Sequence, residues 1–179
     1  MVWDLSHNSW YVLTGGPGSG KTTLINELKK LGHNTVEESA RLHVEQRLKS
    51  GLTINQIRQN EKAFQEEVFR LKQKVHEALP RDAIAFFDRG FHDTIAYLKY
   101  HGHEVEHYIE ATCNQLLYKK IFLLDMLPYK KDQVRTEDHI TAAALHYMLV
   151  DAYRDSGHNI IHVPVALPAE RAQFVLRHI

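Results

Sequence analysis

Residues 10–32 read WYVLTGGPGSGKTTLINELKKLG: a run of β-formers, a knot of glycines, then an amphipathic pattern. Trp10 to Thr14 is stopped by glycine and predicts a strand. From Lys21 onward Leu24, Ile25, Leu28 and Leu31 recur at helical spacing, and Gly32 closes the helix as its C′ residue. Between the two lie Gly15, Gly16, Pro17, Gly18, Ser19, Gly20, Lys21, Thr22 and Thr23. Gly15, Gly20, Lys21 and Thr22 satisfy G-x-x-x-x-G-K-[ST] in the strand–loop–helix setting that the pattern needs. Glycines let successive backbone N–H groups turn inward around an anion, and the helix adds the positive end of its dipole. Lys21 is then expected to reach the β- and γ-phosphates of a nucleoside triphosphate, and the Thr22 hydroxyl to ligate Mg²⁺. The expected cofactors are ATP, with GTP as the alternative, and Mg²⁺. A glycine turn with an incidental lysine would not account for the strand and helix on either side.

The remainder of the chain repeats the alternation. HNTVEES (33–39) holds a short strand ending at Val36, and a helix is expected over Arg41–Lys49. SGLT (50–53) makes a turn with Thr53 as an N-cap. Phe64, Val68, Leu71 and Val75 form an apolar stripe along NEKAFQEEVFRLKQKVHEAL (60–79), a helix stopped by Pro80. AIAFF (83–87) and KKIFLL (119–124) read as buried strands, the second preceded by a helix through VEHYIEATCNQLLY (105–118). A further helix is expected over 137–156, with Ile140, Ala143, Ala144 and Tyr147 on one side and Gly157 closing it. NIIHV (159–163) supplies a last strand and PAERAQFVLRHI (168–179) a last helix, with Pro168 in its first turn. Five such alternations predict an α/β fold: a P-loop sandwich with an about five-stranded parallel sheet and helices on both faces. Ligands of such sheets bind beyond the carboxyl ends of the strands, where every polar motif of this chain falls.

Composition narrows the class. The 179 residues suit a single domain, read as 1–179, with 38–79 as acceptor-side helices and 126–138 as a lid. Lys and Arg total 22, as do Asp and Glu, so no global basic field points to nucleic acid, and none is expected as a partner. No apolar run approaches the ~18–20 residues of a membrane span. The single Cys113 and the absence of a signal-peptide pattern suit a cytoplasmic protein. His103 and His107 share a helical spacing, but a third ligand is lacking nearby, so a solvated helix start is preferred to a metal site.

Three further segments carry chemistry. In AIAFFDRGFHD (83–93) Asp88 directly follows a buried strand, where a P-loop protein places the carboxylate that orders a Mg²⁺-bound water. Arg89 stands where a hydrolytic motor would carry a glutamate base. A guanidinium stays protonated and cannot act as that base, but it can clamp a phosphoryl group. Asp125, at the end of IFLLD, is the second candidate metal carboxylate. In TVEESAR (35–41) Glu38 is placed to receive a proton from an attacking hydroxyl, with Glu37 beside it and Arg41 facing the same helix start. Lys130, Lys131 and Arg135, after Pro128, suggest a cationic lid, with Arg135 as its catalytic residue.

TGGPGSGKTTL (14–24), EESAR (37–41), FDRGFHDTIAY (87–97), FLLDMLPYKKDQVRTED (122–138) and VPVALPAERAQFVL (163–176) occur in an order that covers nearly the whole chain. In this the chain resembles the small AAA-type ATPase/kinase domains grouped with the nicotinamide-riboside-kinase part of NadR and with a TRPL-translocation-type protein of insect photoreceptors. The resemblance implies a fold akin to nucleoside and nucleotide kinases, with Glu38, Arg41, Asp88, Arg89 and Arg135 facing the nucleotide. Glu37 departs from it, since many relatives carry proline there.

The expected function is a small-molecule kinase. Lys21, Arg89 and Arg135 stabilise charge, Thr22 and Asp88 hold Mg²⁺, Glu38 or Asp88 receives the proton, and Glu38, Arg41 and Arg89 bind a nucleoside- or riboside-like acceptor. The alternatives are a nucleotide-gated module for a protein or phospholipid partner and a slow NTPase. Neither the N-K-x-D nor the D-x-x-G pattern of a regulatory GTPase occurs.

Overall fold

A computed structural model describes residues 9–115, 118–127 and 139–179. Its strands are β1 Trp10–Thr14, β2 Thr35–Val36, β3 Ala85–Asp88, β4 Lys120–Leu124 and β5 Ile160–Val163. Between and after them run α1 Lys21–Lys30, α2 Ser39–Lys49, α3 Ile54–Ile57, α4 Glu61–Ala78, α5 Phe91–Tyr100, α6 His107–Cys113, α7 His139–Asp155 and α8 Pro168–Arg177. The strands form one parallel sheet in the order β2-β3-β1-β4-β5. Its register sets Leu13 beside Asp88 and Leu124 beside Val163, so the carboxyl ends form a common rim. The chain reverses direction around β1, with β3 on one side and β4 on the other, and the P-loop leaves β1 at that switch point.

The period-two alternation of the central strands divides the core into two layers. Trp10, Val12, Ala85, Phe87 and Ile121 face one way and pack against Phe69, Ile95, Leu98 and Leu149. Tyr11, Leu13, Phe86, Phe122 and Leu124 face the other and meet Leu24 and Leu28 of α1 and Val175 of α8. Each buried Val, Leu, Ile or Phe among them stabilises the fold by about 1.5–3 kcal/mol.

The helices depart from the periodicity in three places. The segment Phe91–Tyr100, where no helix was expected, is α5; Phe91, His92, Asp93, Thr94, Ile95, Ala96 and Leu98 are all buried, so it offers no polar face to read. The helix expected over 105–118 is confined to His107–Cys113. In α7 the side with Ile140 and Tyr147 faces solvent (79% and 68% exposed), whereas Leu145, Leu149 and Tyr153 pack into the core. The 3.6-residue stripe through Leu145 and Leu149 buries larger side chains than the alanine-rich one. Thr53 caps α3, its hydroxyl accepting from the Gln56 amide. The α4 stripe turns about Phe64 and Val68, with Gln65, Lys72 and His76 also on its buried side.

Candidate functional site

The loop from Gly15 to Gly20 joins β1 to α1. Gly20, with φ +90°, is the residue from which α1 starts, a conformation that side-chain-bearing residues rarely adopt. At Gly15 a Cβ would lie 2.8 Å from the carbonyl oxygen of Leu124. The first turn of α1 carries no acid, leaving its N–H groups and dipole to an anion. Lys21 is buried and arches back over the loop, donating to the carbonyls of Gly15 and Gly16 at 2.8 Å each and to Ser19 Oγ at 3.2 Å. Burial, helped by the nearby Arg89 charge, lowers its pKa well below the ordinary lysine value.

The rim brings Asp88, Arg89 and Glu38 to the same place. Asp88 is the last residue of β3; burial and the neighbouring Glu38 raise its pKa above the usual carboxylate range. Its Oδ1 is buried with no hydrogen-bond partner among the described residues. Thr22 and Asp88 line one cavity of about 220 Å³ together with Asn26, Glu37, Glu38 and Arg41. A buried carboxylate oxygen without a donor beside an exposed threonine hydroxyl is a donor set that fits Mg²⁺. Asp125, by contrast, points to His162 Nδ1 at 3.2 Å and does not line that cavity. Arg41 does line it, but its Nε is engaged by Glu45 at 2.9 Å on an exposed face of α2.

Glu38 is the N-cap residue of α2 but makes no side-chain cap bond. Its carboxylate accepts from Arg89 Nε at 2.8 Å instead. Arg89 is 9% exposed and has φ +70°, the strained region for a residue of its size, so the backbone turns sharply as β3 ends. Its second hydrogen-bonded carboxylate is Asp93, which accepts from Arg89 Nη1 at 3.1 Å. Asp93 also accepts from the Thr14 hydroxyl (2.9 Å), the Gly90 amide (3.0 Å) and the Tyr153 hydroxyl (2.6 Å). Burial alone would raise the Asp93 pKa, yet Arg89, Lys72 and these donors hold it below the ordinary value. On the far side Lys72 donates to the Gly90 carbonyl at 2.7 Å and to Thr94 Oγ1 at 3.2 Å. The turn that presents Arg89 is thus held from both sides.

Glu38 and Arg89 also border a second, narrower cleft of about 60 Å³ between α2, α4 and α5. Phe64, Gln65, Val68 and Tyr97 form its inner wall. Among the described residues, Glu38 is the one common to the two cavities.

Arg135 and the rest of 128–138 lie outside the described residues. Asp93, Lys72, Arg171 and His146 escaped the sequence reading. Arg171 of α8 donates to the carbonyls of Ser19 (2.6 Å), Pro164 (2.8 Å) and Asp125 (3.0 Å), tying the P-loop to the neighbouring strand ends. His146 Nδ1 accepts from the Gly16 amide at 3.3 Å. A cue existed for Asp93 alone: Gly90-Phe-His-Asp93 has the spacing of an acid reaching back to the amide that precedes a helix.

A family model described as an AAA domain matches residues 10–171. Shikimate kinase from Acinetobacter baumannii in complex with shikimate superposes with a TM-score of 0.54 at 19% identity, over 97% of this chain and 93% of that one. Deoxyadenosine kinase from M. mycoides with bound dCTP gives 0.60 at 15% identity, over 95% and 100%. NadR protein in complex with NR gives 0.64 at 14% identity, over 96% of this chain and 49% of that one. Likeness at these identities concerns the fold. No curated protein matches in sequence. A P-loop at the switch point of a five-stranded parallel sheet, a kinase-like fold throughout and a family match across nearly the whole length agree: the chain belongs to the AAA-domain family of P-loop proteins.

Proposed function

We propose that the protein is a Mg²⁺-dependent kinase that moves the γ-phosphoryl group of ATP to a hydroxyl of a small nucleoside- or riboside-like molecule. The observation that carries this reading is the position of Glu38. Among the described residues it is the one shared between the cavity of Thr22 and Asp88 and the cleft behind Arg89. A hydroxyl entering from the cleft meets the Glu38 carboxylate at the boundary with the phosphate side.

In this reading the P-loop amides and Lys21 hold the β- and γ-phosphates, and Thr22 and Asp88 hold the metal ion. Mg²⁺, when bound, offsets charge on the phosphate oxygens. Glu38 accepts the proton of the acceptor hydroxyl as its oxygen bonds to the γ-phosphorus. The bond from that phosphorus to the β–γ bridging oxygen breaks, and ADP leaves with the electron pair. Arg89, fixed by Glu38 and Asp93, presents a guanidinium edge to the transferring group. The same arrangement suits a cytoplasmic enzyme, with its one thiol, Cys113, buried and free.

The test is a phosphorus NMR time course with Mg·ATP, with and without a pool of nucleosides, ribosides and sugars, and with Lys21→Ala as control. A phosphomonoester that grows in step with ADP, and is absent from the control, is the expected result. Persistent ATP, or inorganic phosphate as the sole product, overturns the transfer reading. Hydrogen bonds to charged groups contribute ~1.5–3 kcal/mol each, so Lys21→Ala should weaken triphosphate binding by roughly one to two decades.

A further inference from the structure

The cleft behind Arg89 contains three cations, Arg58, Lys72 and Arg89, which at first sight suit an anionic acceptor. Each is already matched. Glu61 takes Arg58 with two contacts, at 2.6 and 3.0 Å. Arg89 gives Nε to Glu38 and Nη1 to Asp93, its remaining Nη2 edge being the one that serves the transferring group in the reading above, and Lys72 donates to Gly90 O and Thr94 Oγ1. The carboxylates Glu38, Glu61 and Asp93 thus balance the three cations, and an entering phosphate or carboxylate would have to displace a partner of the buried Lys72 or Arg89, or lie against Glu38 without a counter-charge. Both are costly where water is excluded.

What the cleft offers instead is apolar surface and one amide. Phe64 and Val68 are almost wholly buried, and Tyr97 stands on the facing helix α5. Guanidinium groups cover the rings, Arg58 at 4.8 Å from the Phe64 centroid and Arg89 at 5.3 Å from that of Tyr97. The resulting slot favours a flat group. Gln65, 5% exposed, also lines it. Its Nε2 donates to Glu61 Oε1 at 2.9 Å, which orients the amide and leaves the carbonyl oxygen as the end offered to a ligand.

Resting on the transfer reading above for the place of the hydroxyl, we infer that the acceptor is uncharged and ring-bearing: its flat ring lies between Phe64, Val68 and Tyr97, a donor on the ring edge binds Gln65 Oε1, and its hydroxyl reaches Glu38. Nucleosides have this chemistry. Nucleoside monophosphates, sugar acids and ring-free polyols lack one part of it or add a charge with no partner.

Calorimetric titration of the full chain, with no phosphoryl donor present, tests this with adenosine, uridine, their 5′-monophosphates and ribose. At least one nucleoside is expected to bind, its monophosphate at least tenfold more weakly, and ribose not measurably. Gln65→Leu should weaken nucleoside binding at least tenfold. Ala40→Leu, which fills the cleft from its partly exposed rim, should do the same with an unchanged melting temperature. A monophosphate that binds as tightly as its nucleoside, ribose that binds as tightly, indifference to both variants, or no binding by either nucleoside overturns the inference. A nucleoside that binds in this way but yields no phosphoester with Mg·ATP overturns the transfer reading alone. Phosphorylation of a monophosphate in preference to its nucleoside overturns the uncharged acceptor alone.

Discussion

Arg89 and Glu38, 51 residues apart in sequence, meet through Nε and Oε1 at 2.8 Å where β3 ends and α2 begins. The contact places a carboxylate beside a guanidinium that cannot move, because Asp93 holds its other edge. Glu38→Gln keeps an oxygen for Arg89 but cannot take a proton. Its kcat should fall by about 10²–10⁴-fold with KM for ATP little changed, as expected for loss of a general base. Steady-state kinetics of ADP release check the split; an unchanged kcat removes Glu38 from the proton path.

Asp93 is the larger structural liability. Four donors converge on its two oxygens. Asp93→Asn turns an acceptor toward the Gly90 amide into a donor and leaves Arg89 with less compensation. A loss of about 3–5 kcal/mol is expected, the usual cost of breaking a buried pair from one side. Urea unfolding measures it.

Gly90 is required by space rather than by its φ. A Cβ there would lie 2.6 Å from the Tyr153 hydroxyl and 2.9 Å from the Tyr118 ring. Gly90→Ala should cost about 1–3 kcal/mol, as overpacking does. Adding Tyr153→Phe removes the nearer clash, so the double variant should lose less than the sum of the single ones.

Acid should unfold the protein through its buried histidines. Burial lowers the pKa of His76 and of His92 to about 3, and of His158 to about 4. A depressed native pKa means that the unfolded chain binds protons first. The stability is therefore complete above the unfolded value of about 6.5 and lost as pH falls through the native values. Each histidine adds a slope of about 1.4 kcal/mol per pH unit inside that window. His92→Phe, a ring replaced by a ring against Tyr153 at 4.6 Å, should flatten the profile by one proton, readable from urea midpoints between pH 7 and 4.

Arg171 bridges three backbone carbonyls, those of Ser19, Pro164 and Asp125. A lysine ammonium cannot span them. Arg171→Lys should lower the melting temperature and also narrow the melting shift that ATP produces, since the Ser19 contact belongs to the phosphate loop. A normal shift would make the role purely structural.

The parts of this protein legible in its residues are those whose chemistry is consecutive. Gly15 to Thr22 spells a phosphate loop because turn, dipole and lysine occupy one short run, and the strands announce themselves by β-forming runs apolar on both faces. Asp88 and Arg89 could be singled out because they follow such a strand. Helix α5 could not, since a segment buried on nearly every side has no amphipathic period to detect. Lys72 looks like a solvated position of α4 until the Gly90 carbonyl and Thr94 are brought against it, and Gln65 likewise until the cleft closes around it.

Amino-acid order alone therefore determined the alternation of strands and helices, the phosphate loop and its place at a strand end, because each depends on neighbours within a few residues. Tertiary packing decided which carboxylate shares a cavity with Thr22, that Glu38 turns to Arg89 rather than capping α2, and that Lys72 and Arg89 of the cleft already have partners on other elements. Those outcomes turn on distances between residues tens of positions apart, which exist only once the sheet has set its register and the helices have closed over both faces.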